Sequence, residues 1–157
     1  MVRPTEAPPE RHEGSEPPVH ESDFRDLSDF RYALRLFLRF SEEHARAVGI
    51  TPQQHLLLLA VRGHASYPEV TIADVAERLQ VRHHSASRLV ERSVQRGLLD
   101  RRVDPDDRRK VRVSLTEEGE RILTEMTRAN KRELRSLESA LFRDSLRLAL
   151  HAYNSSH

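Results

Sequence analysis

The sequence predicts a mainly α protein with a small β-hairpin, a winged helix-turn-helix of α+β type with six helices. Three observations carry that expectation. Two short amphipathic segments, around 71–79 and 82–96, stand a few residues apart, and the second is basic on its outer face, as in a helix-turn-helix. Directly afterwards the apolar period drops from helical to alternating for two short runs joined by Asp104-Pro105-Asp106-Asp107, which is hairpin patterning. Longer helical stripes flank this unit on both sides and offer more apolar surface than one small winged helix needs for its own core.

In chain order, residues 1–21 hold Pro4, Pro8, Pro9, Pro17 and Pro18 among many glutamates without apolar periodicity, and read as a disordered tail. From Ser22 the residues Phe24, Leu27, Phe30, Leu34, Phe37 and Leu38 recur at three- and four-residue steps, and Gly49 stands where a helix would stop. This is a long helix within an N-terminal segment 22–50. Thr51 offers an N-cap with Pro52 at the first helical position, and Leu56 to Val61 make that helix apolar nearly all round, suited to the centre of a lobe spanning 51–116. Thr71 caps a short helix with Ile72, Val75, Ala76 and Leu79 on its face. The recognition helix, about 82–96, turns Ala86, Leu89, Val90 and Val94 inward, and Gly97 ends it. The wing occupies about 98–115, with Leu99, Arg101 and Val103 alternating in one strand and Val111, Val113 and Leu115 in the other. Thr116, ahead of Glu117 and Glu118, restarts the helical period for two C-terminal helices within 117–157, the last including Leu141, Leu146, Leu150 and Tyr153. The excess stripes point to a second copy of the chain as their cover, hence a homodimer.

Composition excludes several functions. With 157 residues and no cysteine, thiol redox sensing, disulfide scaffolds and thiolate metal sites are out. No apolar run approaches the roughly 20 residues of a membrane span, and residues 1–20 contain no signal-peptide core, so no membrane partner and a cytoplasmic location are expected. There is no glycine-rich phosphate loop, nucleophile elbow or paired-carboxylate spacing, so the chain is not read as an enzyme. The net charge of +1 conceals segregation: the recognition helix and wing are basic, whereas the tail is acidic through Glu6, Glu10, Glu13, Glu16 and Glu21.

That basic surface supplies the candidate DNA-contacting residues: Thr71, Arg82, His83, His84, Ser85, Ser87, Arg88, Arg92, Asp107, Arg109 and Lys110. Ser85 and Ser87 are small enough to let the backbone approach phosphates or base edges, and Arg88 is long enough to fork onto guanine. The plainer reading of Arg88 is a surface salt bridge to Glu91, with Glu91–Arg92 pairing as the other local option. Arg109 at a hairpin tip suits a narrow, electronegative minor groove, and Asp107 two residues earlier can pin its guanidinium by a bidentate pair. The alternative is that Asp107 only shapes the turn. His83 and His84 are adjacent and point about 100° apart, so they suit phosphate or base contacts better than chelation of one ion. No metal site and no cofactor are expected.

The run Gly97-Leu98-Leu99-Asp100-Arg101-Arg102-Val103-Asp104-Pro105-Asp106-Asp107-Arg108-Arg109-Lys110-Val111-Arg112-Val113-Ser114-Leu115-Thr116-Glu117-Glu118-Gly119 closely resembles the wing signature of the multiple-antibiotic-resistance-regulator (MarR) family of transcription factors. A Gly-Leu closes the recognition helix, an Asp-x-Arg marks the wing tip, and a Leu-Thr-x-x-Gly opens the next helix. The resemblance runs from about Phe24 to the C-terminus and leaves out the Pro/Glu-rich tail. It implies a triangular dimer with interleaved terminal helices at its base, a recognition helix in each major groove and a wing in each adjacent minor groove. It also implies a regulator, more often repressor than activator, released from a pseudo-palindromic operator by a small aromatic or phenolic effector. Phe37, Phe40, His44 and His55 could line that effector crevice, although plain core and interface packing accounts for them too. Glu43-His44 resembles a zinc-sensing branch of the family, but the fifth helix has no histidine to complete such a site. Against the regulator stands one other reading, a winged-helix adaptor that binds proteins without sequence-specific DNA binding.

Overall fold

Three threonines start three helices. Thr51 accepts the Gln54 N–H at 3.1 Å while the Gln54 side chain accepts the Thr51 N–H at 2.9 Å, a reciprocal cap that satisfies two otherwise orphaned donors. Thr71 and Asp74 repeat the arrangement. Thr116 accepts the Gly119 N–H at 3.0 Å. In this computed structural model, which describes residues 18–137, these caps open α2 (Pro52–Arg62), α3 (Ile72–Leu79) and α5 (Glu117–Leu137). Helix α1 is Glu21–Ala47 and α4 is His83–Gln95, while β1 is Val70–Thr71, β2 Leu99–Val103 and β3 Val111–Leu115. Five helices therefore lie among the described residues. The expected sixth falls in 138–157 and most of the expected tail in 1–17, outside them.

The wing is more than a hairpin. β2 and β3 pair antiparallel from Leu99↔Leu115 to Val103↔Val111, and β1 adds to the other side of β3 through Val70↔Val113 and Thr71↔Arg112, giving the order β1-β3-β2. The sequence reading left β1 out because two residues carry no alternation; only pairing to a distant strand defines them. The sheet tethers the N-terminus of α3 to the wing, so the helix-turn-helix and the wing share one frame.

The core centres on this lobe and extends into the flanking helices: Leu57, Leu58 and Val61 of α2, Val75 of α3, Ala86 and Val90 of α4, Val70, Leu99 and Val113 of the sheet, Ala45 of α1 and Met126 of α5 are all buried. Two expectations change here. Helix α2 is not apolar to its partners all round, since Leu56 and Leu59 are 50% and 46% exposed. In α4 Val94 packs against the core but stays half-buried, whereas Ser93, absent from the apolar pattern, is fully buried, its hydroxyl donating to the Leu89 carbonyl at 2.9 Å. Tyr67 locks the 64–69 loop onto α5, donating to Glu120 at 3.0 Å beneath the Arg62 guanidinium, which itself pairs with Glu120 at 2.9 Å.

Helix α1 is different in kind. Of its 27 residues only Ala33, Ser41 and Ala45 are buried, whereas Phe24, Leu27, Leu34 and Leu38 are between 43% and 63% exposed. Its link to α5 includes a hydrogen bond from the Asn130 amide to the Ser41 hydroxyl at 3.1 Å. At these four positions the stripe read from the sequence is largely uncovered by the rest of the described chain.

Candidate nucleic-acid interface

The turn between α3 and α4 is made by Gln80, in the left-handed region at φ 55°, followed by Val81 and the N-cap Arg82. It holds α4 with one side on the core and the other in the open. Arg82, His83, His84, Ser85, Arg88 and Arg92 are exposed and Ser87 is half-buried at the margin. Thr71 sits apart, at the start of α3, where its hydroxyl donates to Asp74 at 2.8 Å, so its group is engaged in the cap. Burial acts on Asp74 to raise its pKa, but the hydrogen bonds from Thr71 and the nearby charges of His64 and Lys110 hold the carboxyl below its usual range. Lys110 thus lies at the seam between wing and helix-turn-helix.

The basic residues that sequence counting lumps together divide into two groups. Arg101 pairs with Glu91 at 3.6 Å, Arg102 with Glu69 at 4.0 Å, and Arg112 with both Glu69 and Asp104, the latter at 2.5 Å. These build the wing. Arg82, Arg88, Arg92, Arg108 and Lys110 have no ion pair within 4 Å among the described residues, and they point outward on α4 and at the wing tip. Glu91, offered as a partner for Arg88 or Arg92, turns instead to Arg101, leaving the Arg88 fork available to a ligand.

At the wing tip, Asp104 is the organiser that sequence reasoning saw only as a turn residue. Its side chain is 5% exposed. One oxygen accepts the N–H groups of Asp106 and Asp107 at 2.8 and 3.0 Å, and the other accepts Arg112 Nε at 2.5 Å. Glu69, missed entirely, completes the network from the far end of the 64–69 loop; no local signal marks it, because its partners lie on other strands. Asp107 then holds Arg109, but not as the expected bidentate fork. A single carboxylate oxygen accepts both the Arg109 backbone N–H at 3.1 Å and its Nε–H at 3.3 Å, on a side chain that is 93% exposed.

Of the four effector-crevice candidates, three come together at the α1–α2 contact. The rings of Phe40 and His44 stack at 5.9 Å with planes 8° apart, and His55 is buried close enough to His44 to feel its charge. Phe37 is half-buried one turn earlier on α1. His44 Nε2 and Asn130 Oδ1 are buried and have no hydrogen-bond partner. Burial, then the nearby His44, pushes the His55 pKa below the ordinary imidazole value. The unfolded chain therefore binds this proton first, at about pH 6.5, and stability falls as pH drops through that value toward the folded pKa. The loss of urea stability from pH 7 to 5 is expected to be shallower in His55→Leu; an identical loss in both proteins would exclude this histidine as its source.

Among the described residues no cluster of three or more His, Cys, Asp or Glu could hold a metal ion, and no helix is long and apolar enough to cross a membrane.

Comparison with known proteins places this geometry. Residues 48–110 match the model of the MarR family. The chain is 27% identical over 129 residues to the HTH-type transcriptional repressor MdtR of Bacillus subtilis, covering 80% of this chain and 81% of that protein. Among solved structures it is similar to wild-type MarR of E. coli, with TM-score 0.65 and 19% identity over 90% of this chain and 98% of that one. It is likewise similar to a MarR mutant from E. coli complexed with operator DNA, with TM-score 0.65 and 19% identity over 89% and 99% of the two chains.

Proposed function

We infer that this chain, which belongs to the MarR family of winged-helix regulators, is a DNA-binding transcription regulator that reads a pseudo-palindromic operator as a homodimer. The observation that carries the reading is the outward face of α4, where Arg82, Arg88 and Arg92 have no ion pair within 4 Å among the described residues, set on one sheet frame with the Arg109 wing tip. Thr71, whose hydroxyl serves the α3 cap, acts here by fixing that frame. Ser85 and Ser87 admit the backbone to the groove, His83 and His84 reach phosphates, and Arg88 forks onto guanine. Arg109 and Lys110 follow the minor groove. The exposed stripe of α1 supports dimerisation, which spaces two recognition helices about one turn of DNA apart, roughly 34 Å. Sedimentation at micromolar concentration reads that assembly. Repression fits the name of the B. subtilis relative, and the reading places the chain in the cytoplasm with its DNA. A small aromatic or phenolic effector against Phe37, Phe40, His44 and His55 would give the unpartnered His44 Nε2 and Asn130 Oδ1 a ligand and shift the two lobes.

The test is to select bound duplexes from a random pool and then titrate the winner against salt. Log affinity is expected to fall with log salt at about −0.9 for each phosphate contact. Arg88→Ala is expected to relax preference at one symmetric pair of positions, costing about 1–3 kcal/mol there, with nonspecific binding nearly intact. A flat salt response, or no enriched sequence, would leave the protein-binding adaptor as the better account.

A further inference from the structure

We propose that the cleft between the α1–α2 turn and the second half of α4 is an oxyanion site, taking a small molecule that carries a carboxylate or phosphate group. The cleft measures about 760 Å³ and is lined by Arg46 from the end of α1, Arg92 and Arg96 from α4, and the Gln53 and Gln95 amides, with no acidic side chain in its wall. Three arginines, one near the end of α1 and two at the end of α4, thus line one concavity. Two of them, four residues apart on α4, repel one another along the helix.

The structure neutralises this charge only in part. Arg46 reaches Glu42, outside the cleft, at 3.2 Å, and Arg96 donates to the Gly49 carbonyl at 2.7 Å, which uses one of its five N–H groups. Arg92 has no ion pair among the described residues. What remains is a wall of arginine and amide side chains around one space, the chemistry that recognises carboxylate and phosphate oxygens. The site is distinct from the Phe40–His44–His55 contact. Its volume is in the range of ligand pockets.

Occupancy has a mechanical consequence. The Arg96–Gly49 hydrogen bond already ties the end of α4 to the α1–α2 turn, and an anion joining Arg46 to Arg92 strengthens that tie and fixes the recognition helix relative to α1. This coupling rests on the DNA-binding reading; the binding of the anion does not.

The experiment uses the intact, DNA-free protein labelled with ¹⁵N, titrated with inorganic phosphate or acetate against chloride at equal ionic strength while the arginine Nε–H signals are followed. Saturable shifts at Arg92 and Arg96 are expected with phosphate and acetate but not chloride. Arg46→Gln, at an exposed position where folding is unaffected, is expected to weaken the phosphate response at least fivefold, and Arg108→Gln at the wing tip to leave it unchanged. Non-saturating shifts, or an Arg46→Gln titration identical to the parent, would overturn the site. A second arm measures the salt dependence of duplex binding. The Arg46→Gln slope is expected to match the parent, and a slope shallower by about 0.9 would make a DNA phosphate the occupant and overturn the small-molecule assignment. Should no duplex bind, the DNA-binding reading falls while the phosphate titration still decides the cleft.

Discussion

Gly119→Ala is expected to cost about 3 kcal/mol of stability, at the upper end of what overpacking usually costs, and to lower Tm by roughly 6–12 °C. Gly119 lies in the first turn of α5, buried against the peptide of Leu98, and a methyl group there would collide with the Leu98 carbonyl oxygen and approach Leu115 Cβ at 3.5 Å. No flexible side chain can yield, because the obstruction is backbone. Moving α5 away breaks the seam that makes the approach close: the Thr116 N–H bond to Leu98 O at 3.2 Å and the Thr116 hydroxyl bond to Gly97 O at 2.7 Å. Gly97 is the comparison. It sits at φ 69° with open space around its absent side chain, so Gly97→Ala carries only the left-handed penalty of about 1–2 kcal/mol. Equal melting temperatures for the two variants would show that the α5–β2 seam relaxes freely and that Gly119 is not a packing requirement.

The contrast between these glycines shows where sequence reading succeeds. Signals completed within a few residues were legible: the Thr51, Thr71 and Thr116 caps, the glycine after α4, the change of period at Leu99. Each is a local hydrogen bond or dihedral demand, and each appears where the pattern put it. What the sequence concealed depends on contacts made by the folded chain. β1 exists only because Val70 meets Val113. Glu69 matters only because the sheet brings it to Arg102 and Arg112. The basic wing reads from charge alone as one run, yet Arg101, Arg102 and Arg112 pair with Glu91, Glu69 and Asp104, while Arg108, Arg109 and Lys110 stay exposed at its tip. The outer stripe of α1 was legible for a simpler reason: its apolar period is a property of the helix alone and needs no contact elsewhere in the chain to be seen.

Asp104→Ala is expected to weaken DNA binding at least as much as Arg109→Ala, although it removes a negative charge near DNA and simple electrostatics predicts the opposite sign. The reason is a relay of positions. Asp104 gathers the Asp106 and Asp107 N–H groups and pairs with Arg112, and Asp107 in turn holds Arg109 through one oxygen. Breaking a buried pair by removing one partner costs about 3–5 kcal/mol; the lower end applies here, because Arg112 keeps Glu69 and is itself 27% exposed. That loss falls on the wing, which makes no packed core of its own, so the tip disorders and Arg109 must be ordered again at each binding event. Arg109→Ala is expected to remove the proposed minor-groove contact, costing about 1–3 kcal/mol, most strongly where A·T flanks narrow the groove. Asp104→Asn separates the two parts of the Asp104 role, keeping an acceptor for the tip N–H groups while losing the charge opposite Arg112, and its affinity should fall between the parent and Asp104→Ala. Asp107→Ala releases only the last link and is expected to weaken binding less than either. Tighter binding by Asp104→Ala or Asp107→Ala, measured by titration on the selected operator with melting followed in parallel, would mean that the tip needs no such positioning and that Arg109 acts as a free charge.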